Sequence, residues 1–553
     1  MLITELQAIQ HEHGFLPRDA LQDLAERLRI PLYEVYGVAS FYPHFRLEVP
    51  QGTELKVCMD LSCHLAGAPS WKAAVQQACT EAGLTAISFG ETSCLGQCDA
   101  PAAFSLDDQI YCNGTEKKIP SLLRTLKSGR FPRRPPLPKP PRGLRVNPYP
   151  DVEPVAALRR LVQTRNFPTV IATLKASGLR GMGGAGFPAG VKWEIVRNEP
   201  ASEKYVICNA DESEPGTFKD RMLMQTVPEL MLEGMIVGAL TVGARVGYIY
   251  IRHEYLRERE ILEQTLARFR REGLVGENIL GSDLSVEVEV FESPGGYICG
   301  EETALLEALE GKRAEPRNKP PFPGTYGLFG KPTLINNVET FAFVPAILLR
   351  GAEWFKAQGR NGAAGLKFLA LSGHVRKPGV YEVPLGIPAS EFIYTYGGGL
   401  PAGRKLKAFA PGGASSGFLP ASQADVPLDF QSLARAGSML GSGAVVVVGD
   451  NTCMINLATN VVKFFRNESC GKCVPCRVGS EKLVNILEGM AHGIGSTRDL
   501  DTIHELAETM QLTSICGLGQ AAPLPITSVI RHFPDEVERH VAFRDCPAGV
   551  CFR

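Results

Sequence analysis

Apolar positions recur along this chain with two periods, and the periods alternate. ALQDLAERLRI and WKAAVQQACTEAG carry apolar residues three and four apart, which predicts amphipathic helices. TELKVCMD, TAISFG and AAFSL are short runs of strand character. The alternation predicts a small α/β domain over residues 1–128. A larger α/β unit is predicted at 151–345, with YVICNAD, VGYIYIRHE and VEVEVFE as strands and PELMLEGMIVGAL and REREILEQTLARFRREG as helices. Within 346–440, GLKFLALSGHV, KPGVYEVPLG and KLKAFAPGG predict a small mixed sheet. Residues 441–553 return to helical spacing in MINLATNVVKFFRN, EKLVNILEGMAHG, TIHELAETMQ and LPITSVIRHF, a helical bundle. Residues 129–150 hold eight prolines and six basic residues, an extended, semi-rigid linker.

The 553 residues are too many for one core and suggest roughly three to five domains. A hydrophobic content of 44% with 21% charged residues describes a globular protein. The net charge of −1 and a pI near 6.8 give no sign of a nucleic-acid or membrane-surface partner. The polar N-terminus lacks the apolar core of a signal peptide. The best membrane candidate, MLEGMIVGALTVGARVGYIYI, is broken by Glu233, glycines and Arg245. A soluble cytoplasmic protein with no membrane span is expected.

Fifteen cysteines, an odd number that includes C-x2-C clusters, argue for metal ligation over a disulfide framework. ESCGKCVPCRVGS places Cys470, Cys473 and Cys476 at even spacing, and Cys516 follows in TSICGLGQ. A compact triplet plus one distant thiolate suits a [4Fe–4S] cubane, with structural zinc as the alternative. VCMDLSC supplies Cys58 and Cys63, and TSCLGQC supplies Cys94 and Cys98. Two pairs, each after a strand, suit a [2Fe–2S] cluster, with zinc or a disulfide as the alternative. Of the other seven, Cys79, Cys112, Cys208, Cys299 and Cys453 read as small apolar residues. Cys546 and Cys551, in DCPAGVC, read as an exposed pair or a remnant cluster segment.

The glycine-rich stretch GLRGMGGAGFPAGVKW lets backbone N–H groups approach a phosphate, and Lys192 adds a point charge. It is not a P-loop, and a plain turn-rich loop is the bland alternative. Three further segments favour a ligand. VICNADESEPGTFKDR bunches Asp211, Glu212 and Glu214 after a strand, where carboxylates meet a ribose or ring nitrogen. GGYICGEET opens a helix with Glu301 and Glu302, acids that also simply favour a helix N-terminus. NKPPFPGTYGLFGKPTLINNVET adds Lys319, Phe322, Asn336 and Asn337. Together they suggest one large nucleotide-like cofactor with room for a second nucleotide.

On these residues the chain is recognisable. RGMGGAGFPAGVKW, CNADESEPGTFKDR, YICGEET, INNVET, ESCGKCVPC and SICGLG resemble the NADH-binding flavoprotein subunit of respiratory complex I. The first 128 residues, with GVASFYPHF ahead of Cys58, resemble its thioredoxin-like [2Fe–2S] partner, so the whole resembles a fusion of the two. The resemblance implies an α/β multidomain chain. Its parts would be a thioredoxin-like [2Fe–2S] domain, a Rossmann-like FMN/NAD domain, a β-grasp (SLBB) domain and a helical bundle with [4Fe–4S].

It also implies roles for individual residues. FMN would lie on Gly181, Gly183, Gly184 and Lys192, with Asn209, Asp211, Glu212 and Ser213 at its ring and ribityl side. Tyr297, Gly300 and Glu301 would line it, and Asn336, Asn337 and Thr340 would face the phosphate. NAD(H) would stack on the flavin using Phe187, Glu214, Glu302, Lys319 and Phe322, with Glu214 and Glu302 as positioning carboxylates at the reaction centre. Ile195 stands where the family can place a second aromatic for the adenine. The flavin converts between hydride and single-electron transfer, so electrons would pass between the [4Fe–4S] cluster, FMN and NAD. The [2Fe–2S] cluster would serve as a side store.

GGASSGFLPAS, VPLDF, ESCGKC, SICGLGQAA and a helix ending in HFPDE are similar to the beta chain of soluble NAD-linked formate dehydrogenases. That similarity implies a hetero-oligomer with a molybdenum- or tungsten-pterin alpha subunit. A hydrogenase partner is the alternative, and a zinc-bearing scaffold with a degenerate nucleotide fold is a third reading of another class.

Overall fold

The computed structural model describes residues 2–129 and 143–552; most of the linker expected at 129–150 lies outside them. β1 (Thr53–Cys58), β2 (Ile87–Thr92), β3 (Phe104–Leu106) and β4 (Gln109–Tyr111) form one sheet in the order β2-β1-β3-β4. Leu55 and Val57 point from β1 to one face, as the two-residue period requires, and share a core with Trp71 and Val75 of helix Ala68–Glu81. β1 and β2 run parallel with Cys58 opposite Thr92. Both strands therefore deliver their following turns, and the cysteines on them, to the same edge.

The first three helices belong elsewhere. Leu2–His13, Arg18–Leu28 and Leu32–Ala39 pack Leu6, Leu21 and Val35 into a core with Phe291, Leu305 and Leu309 of the larger α/β unit. The Tyr42 hydroxyl donates to the Lys312 carbonyl at 2.5 Å, and Arg313 Nε donates to the Gly37 carbonyl at 2.8 Å.

That unit is built on β5 (Tyr205–Ala210), β6 (Val246–Arg252), β7 (Glu287–Ser293) and β8 (Thr333–Asn337), all parallel, in the order β7-β6-β5-β8. The chain winds outward from β5 to β7 and then returns to β5's other side as β8. The order reverses between β5 and β8, the crevice where parallel sheets place ligands. Helix Pro228–Val242 is apolar nearly all round because it is buried between sheet and helices. It meets helix Val338–Arg350 so closely that a Cβ on Gly234 would lie 2.0 Å from the Phe341 carbonyl oxygen.

The third sheet is mixed: β9 (Leu366–Gly373), β10 (Gly379–Pro384), β11 (Leu406–Ala410), β12 (Leu419–Pro420) and β13 (Ala444–Gly449), in the order β10-β9-β13-β11-β12. Its central strand β13 lies beyond residue 440, where that unit was expected to end. All six β13 residues are buried, and a fully buried strand shows no alternation to betray it. Helices Met454–Asn467, Val474–Ala491, Thr497–Thr513, Leu524–His532 and Pro534–Ala542 form the C-terminal bundle. Among the described residues, no single helix is long and apolar enough to cross a membrane.

Candidate functional site

The crevice between β5 and β8 collects the four ligand segments singled out in the sequence. Asn209 and Asp211 leave the carboxyl end of β5, beside Asn336 and Asn337 of β8. Asn337 Nδ2 donates to Asp220 at 2.7 Å, and its Oδ1 accepts from Glu339 N at 3.0 Å, capping helix Val338–Arg350. Asn209 Nδ2 donates to the Gly300 carbonyl at 2.9 Å, tying β5 to the YICGEE turn. The glycine loop lies across this end. Gly181 N donates to the Phe187 carbonyl at 2.8 Å, and Met182 N to Thr340 Oγ1 at 2.9 Å. A Cβ on Gly183 would lie 3.1 Å from Asn337 Cβ.

Several expected ligand residues have a different visible job. Glu301 is the N-cap of helix Glu302–Leu309: one oxygen accepts from Thr303 N and Ala304 N, both at 2.9 Å, and the other meets Lys319 at 2.9 Å. Glu212 is buried and accepts from Asp220 N at 2.8 Å, Arg221 N at 2.9 Å and the Tyr255 hydroxyl at 3.0 Å. Thr340 is buried and holds the glycine loop. Phe187, Ile195 and Phe322 are exposed.

The residues present fit a flavin mononucleotide. Asn336 Oδ1 and Asp211 Oδ2 are buried with no donor in bonding geometry, which is costly unless a bound group supplies one. Burial, opposed by Arg252, raises the Asp211 carboxyl to about 7. Burial and the Asp220 charge raise Glu212 to about 7. Lys192, 3.2 Å from the Ile335 carbonyl and 3.8 Å from Glu302, brings a positive charge to the crevice. Burial opposes ionisation of Glu302, yet Lys192 and Lys319, the latter at 3.0 Å, outweigh it and hold its carboxyl below the usual value. Beneath Asn337 lies a fully buried charge network in which Lys219 meets Asp220 at 2.7 Å and Glu339 at 3.0 Å, while Lys367 also bonds Glu339.

Glu214 does not face this crevice alone. Its carboxylate accepts from Ser415 N at 2.8 Å and Ser415 Oγ at 2.9 Å, from the GGASSG loop of the third sheet. Gly413 (φ +85°) allows the approach, since a Cβ there would lie 2.9 Å from Glu214 Cγ. Burial raises the Glu214 carboxyl, and hydrogen bonds from Tyr297 and Ser415 offset part of that. Ser442, in the second glycine-rich loop, bonds Thr217 at 2.5 Å. Ser415 and Ser442 escaped sequence reasoning; the glycines around them were the available signal.

Cys58, Cys63, Cys94 and Cys98 converge at the shared edge of β1 and β2, all buried. Cys94 and Cys98 are 3.4 Å apart, and hydrogen bonds from Cys58 and Cys98 hold Cys94 below its ordinary value. Backbone N–H groups of Ala103 and Gly216 donate to Cys63 and Cys98 at 3.4 and 3.3 Å. Gly216 belongs to the segment that follows Asp211, so this cysteine set abuts the crevice. Arg252 bridges the two, donating to the Cys94 and Glu212 carbonyls at 2.6 Å each. Arg221 reaches Gly96 O at 2.5 Å and grips Asp99 with bonds of 2.9 and 2.8 Å.

Three of the other set sit at helix starts, and Cys470 lies in the loop before Cys473. Cys473 caps helix Val474–Ala491, Cys476 lies in its first turn, and Cys516 caps helix Gly517–Ala521. Burial pushes the Cys476 thiol up to about 11 and Cys516 to about 12. Buried thiolates need a bound cation to balance them, and an iron–sulfur cluster supplies one. Glu468, close to Cys470 in the chain, accepts from Tyr297 N at 2.7 Å and bonds Ser93, so one carboxylate joins both cysteine sets to the crevice. A cavity of about 750 Å³ lies among them, lined by Cys94, Arg252, His253, Tyr297, Glu468 and Cys470.

Fold and site define an FMN-binding iron–sulfur oxidoreductase, and similarity to known proteins agrees. The thioredoxin-like [2Fe–2S] ferredoxin model matches residues 1–127 and the Nuo51 FMN-binding domain 174–346. The SLBB domain matches 368–419, and the NADH-ubiquinone oxidoreductase-F iron-sulfur binding region matches 456–540. The F 2 subunit of the NADH-quinone oxidoreductase of Rhizobium meliloti is 46% identical over 71% of this chain and 93% of its own length. The HndC subunit of the NADP-reducing hydrogenase of Solidesulfovibrio fructosivorans is 45% identical over 69% and 78%. A crystal structure of NAD+-reducing [NiFe]-hydrogenase in the air-oxidized state superposes with a TM-score of 0.87 at 30% identity, covering 97% of this chain and 93% of that one. The chain belongs to the family of the F-type subunits of NADH-quinone oxidoreductase, with a thioredoxin-like [2Fe–2S] region ahead of the flavoprotein part.

Proposed function

We propose that this chain is a cytoplasmic diaphorase subunit, exchanging electrons between NAD(H) and the one-electron centres of a partner. The observation that carries the reading is one crevice, at the β5/β8 reversal, flanked by both cysteine sets through Gly216 and Glu468. FMN, when bound, supplies the conversion between a hydride and single electrons. The chain's own residues do the rest. The glycine loop, Lys192 and Asn336 would receive the phosphate; Asn209 and Asp211 would orient the ring and ribityl chain. Phe187, Phe322 and Ile195 are exposed and offer apolar faces for a dinucleotide. Lys192 and Lys319 keep Glu302 ionised to hold a ribose or carboxamide. Ser415 and Tyr297 fix the Glu214 carboxylate at the crevice's inner side. Cys470, Cys473, Cys476 and Cys516 hold [4Fe–4S], and Cys58, Cys63, Cys94 and Cys98 hold [2Fe–2S].

For the partner, we favour a formate dehydrogenase alpha subunit with a molybdenum or tungsten pterin, supported by the stretches GGASSGFLPAS, VPLDF and SICGLGQAA. A hydrogenase partner is the second reading, favoured by the whole-chain likeness to the NAD+-reducing [NiFe]-hydrogenase. Metal and flavin analysis of the native complex, purified without oxygen, separates them. The first reading expects FMN, about six irons from this chain (four plus two by cluster type), and molybdenum or tungsten. Nickel without either would move the partner to a hydrogenase. Zinc without flavin would overturn the diaphorase itself.

A further inference from the structure

Cys546 and Cys551, expected to be an exposed pair, are buried at 9% and 8% exposure. They meet Cys453, from far earlier in the chain, and His540, from the helix just before them. Cys453 caps helix Met454–Asn467, His540 sits in helix Pro534–Ala542, and both are buried. One ligand atom from each of the four residues lies within 4.8 Å of every other. Cys453 Sγ is 3.3 Å from His540 Nε2 and 3.7 Å from Cys551 Sγ.

Those separations suit a single ion. A tetrahedral zinc with Zn–S bonds of about 2.3 Å has sulfur–sulfur edges of about 3.8 Å and somewhat shorter sulfur–nitrogen edges. An iron–sulfur cluster spreads its thiolates around several irons and so needs wider spacing. The histidine carries the expected outer support: Nδ1 lies 2.8 Å from the Glu536 carbonyl. With a proton on Nδ1 donated to that carbonyl, Nε2 presents its lone pair to the three sulfurs, the tautomer a metal ligand needs. Glu536 is itself fixed, accepting from Met454 N at 2.8 Å and pairing with Lys407 at 2.7 Å. Its backbone thus orients the ligand while its side chain holds the start of the helix that Cys453 caps.

We propose that Cys453, His540, Cys546 and Cys551 form a closed structural zinc site, separate from the two iron–sulfur sets. All four positions are protein ligands, which leaves none open for water or substrate. The site clasps the C-terminal segment onto the bundle. Helix Met454–Asn467 starts at this site and ends just before Cys470; Phe552 N donates to the Ala491 carbonyl at 3.0 Å, at the far end of the helix that Cys473 begins. The ion therefore braces the distal ends of both helices that frame the cubane triplet. Binding displaces three thiol protons, and its free energy adds to the stability of the folded tail.

The test uses the full chain with its flavin and clusters. Elemental analysis is expected to find one zinc per chain beside the iron. Zinc K-edge absorption is expected to show three sulfurs at about 2.3 Å and one nitrogen at about 2.0 Å. The double variant Cys546→Ser, Cys551→Ser is expected to lose the zinc, keep flavin and iron, and expose the tail to protease. Absence of zinc, a shell of other composition, iron at these four residues, or a Cys453–Cys551 disulfide found by mass spectrometry would each overturn the proposal. If the variant does not fold, the absorption spectrum of the unaltered chain decides alone.

Discussion

Replacing Arg221 with Met isolates the clamp that docks the [2Fe–2S] edge on the flavin unit. The side chain is 8% exposed and makes a 2.5 Å bond to the Gly96 carbonyl and a two-pronged grip on Asp99 at 2.9 and 2.8 Å. Met keeps much of the apolar stem and removes the donors. Asp99 is 29% exposed, so water compensates most of that loss, leaving about 1 kcal/mol. The Gly96 carbonyl and Gln97 lose a charged donor, a further cost of about 2 kcal/mol. A total near 3 kcal/mol corresponds to roughly a hundredfold in a local opening equilibrium. The loop that opens, Cys94 to Asp99, carries two cluster ligands, so iron should leave that cluster first. The assay is anaerobic chelator challenge, following each cluster by its paramagnetic-resonance signal after reduction. The expected result is [2Fe–2S] loss accelerated on the order of a hundredfold, with [4Fe–4S] loss unchanged. Equal acceleration of both clusters, or no acceleration of either, would refute the clamp.

Gly183→Ala should lower the flavin retained after dialysis, because its Cβ would press on Asn337 Cβ at 3.1 Å; full retention would show that the loop gives way. Gly234→Ala should destabilise the chain by about 3 kcal/mol or more, read by thermal unfolding, because its Cβ would lie 2.0 Å from the Phe341 carbonyl oxygen. Glu302→Gln should raise KM for NADH more than it lowers kcat, because the charge that Lys192 and Lys319 enforce acts in binding; an equal fall in kcat would place it in the transition state. Asp211 and Glu212 are raised to about 7 from ordinary values near 4. The folded flavin-free chain thus binds more protons than the unfolded one between about pH 4 and 7, and its stability should fall as pH rises through that window. Asp211→Asn should flatten part of the slope in thermal unfolding followed against pH, and an unchanged slope would exclude Asp211 as its source.

What the sequence made legible was largely periodic or spaced. The strand after which each cysteine pair falls was visible, and the parallel register of β1 and β2 turns that into one metal edge. The carboxyl ends of β5 and β8 carried their polar residues in plain sight. Three things were hidden for physical reasons. β13 is buried on both faces, so nothing in AVVVVG alternates. The first three helices have an amphipathic pattern that says a face is covered, but not that Phe291 and Leu305 cover it. Cys546 and Cys551 looked weak because one partner, Cys453, lies far earlier in the sequence, and the single histidine ahead of them, His540, carries no metal signal by itself. Glu301 shows the converse: an acid at a helix start has a capping job, and here it does that job.

The most direct test of the account is stoichiometric reduction of the isolated, cofactor-loaded chain by NADH without oxygen, followed by low-temperature paramagnetic resonance. If one crevice serves both cysteine sets, NADH alone should reduce the centres. The signals of one [2Fe–2S] and one [4Fe–4S] cluster should change, each abolished by serine at its own cysteines: Cys58 or Cys98 for the first, Cys473 or Cys516 for the second. A loaded chain whose clusters dithionite reduces and NADH does not would contradict it.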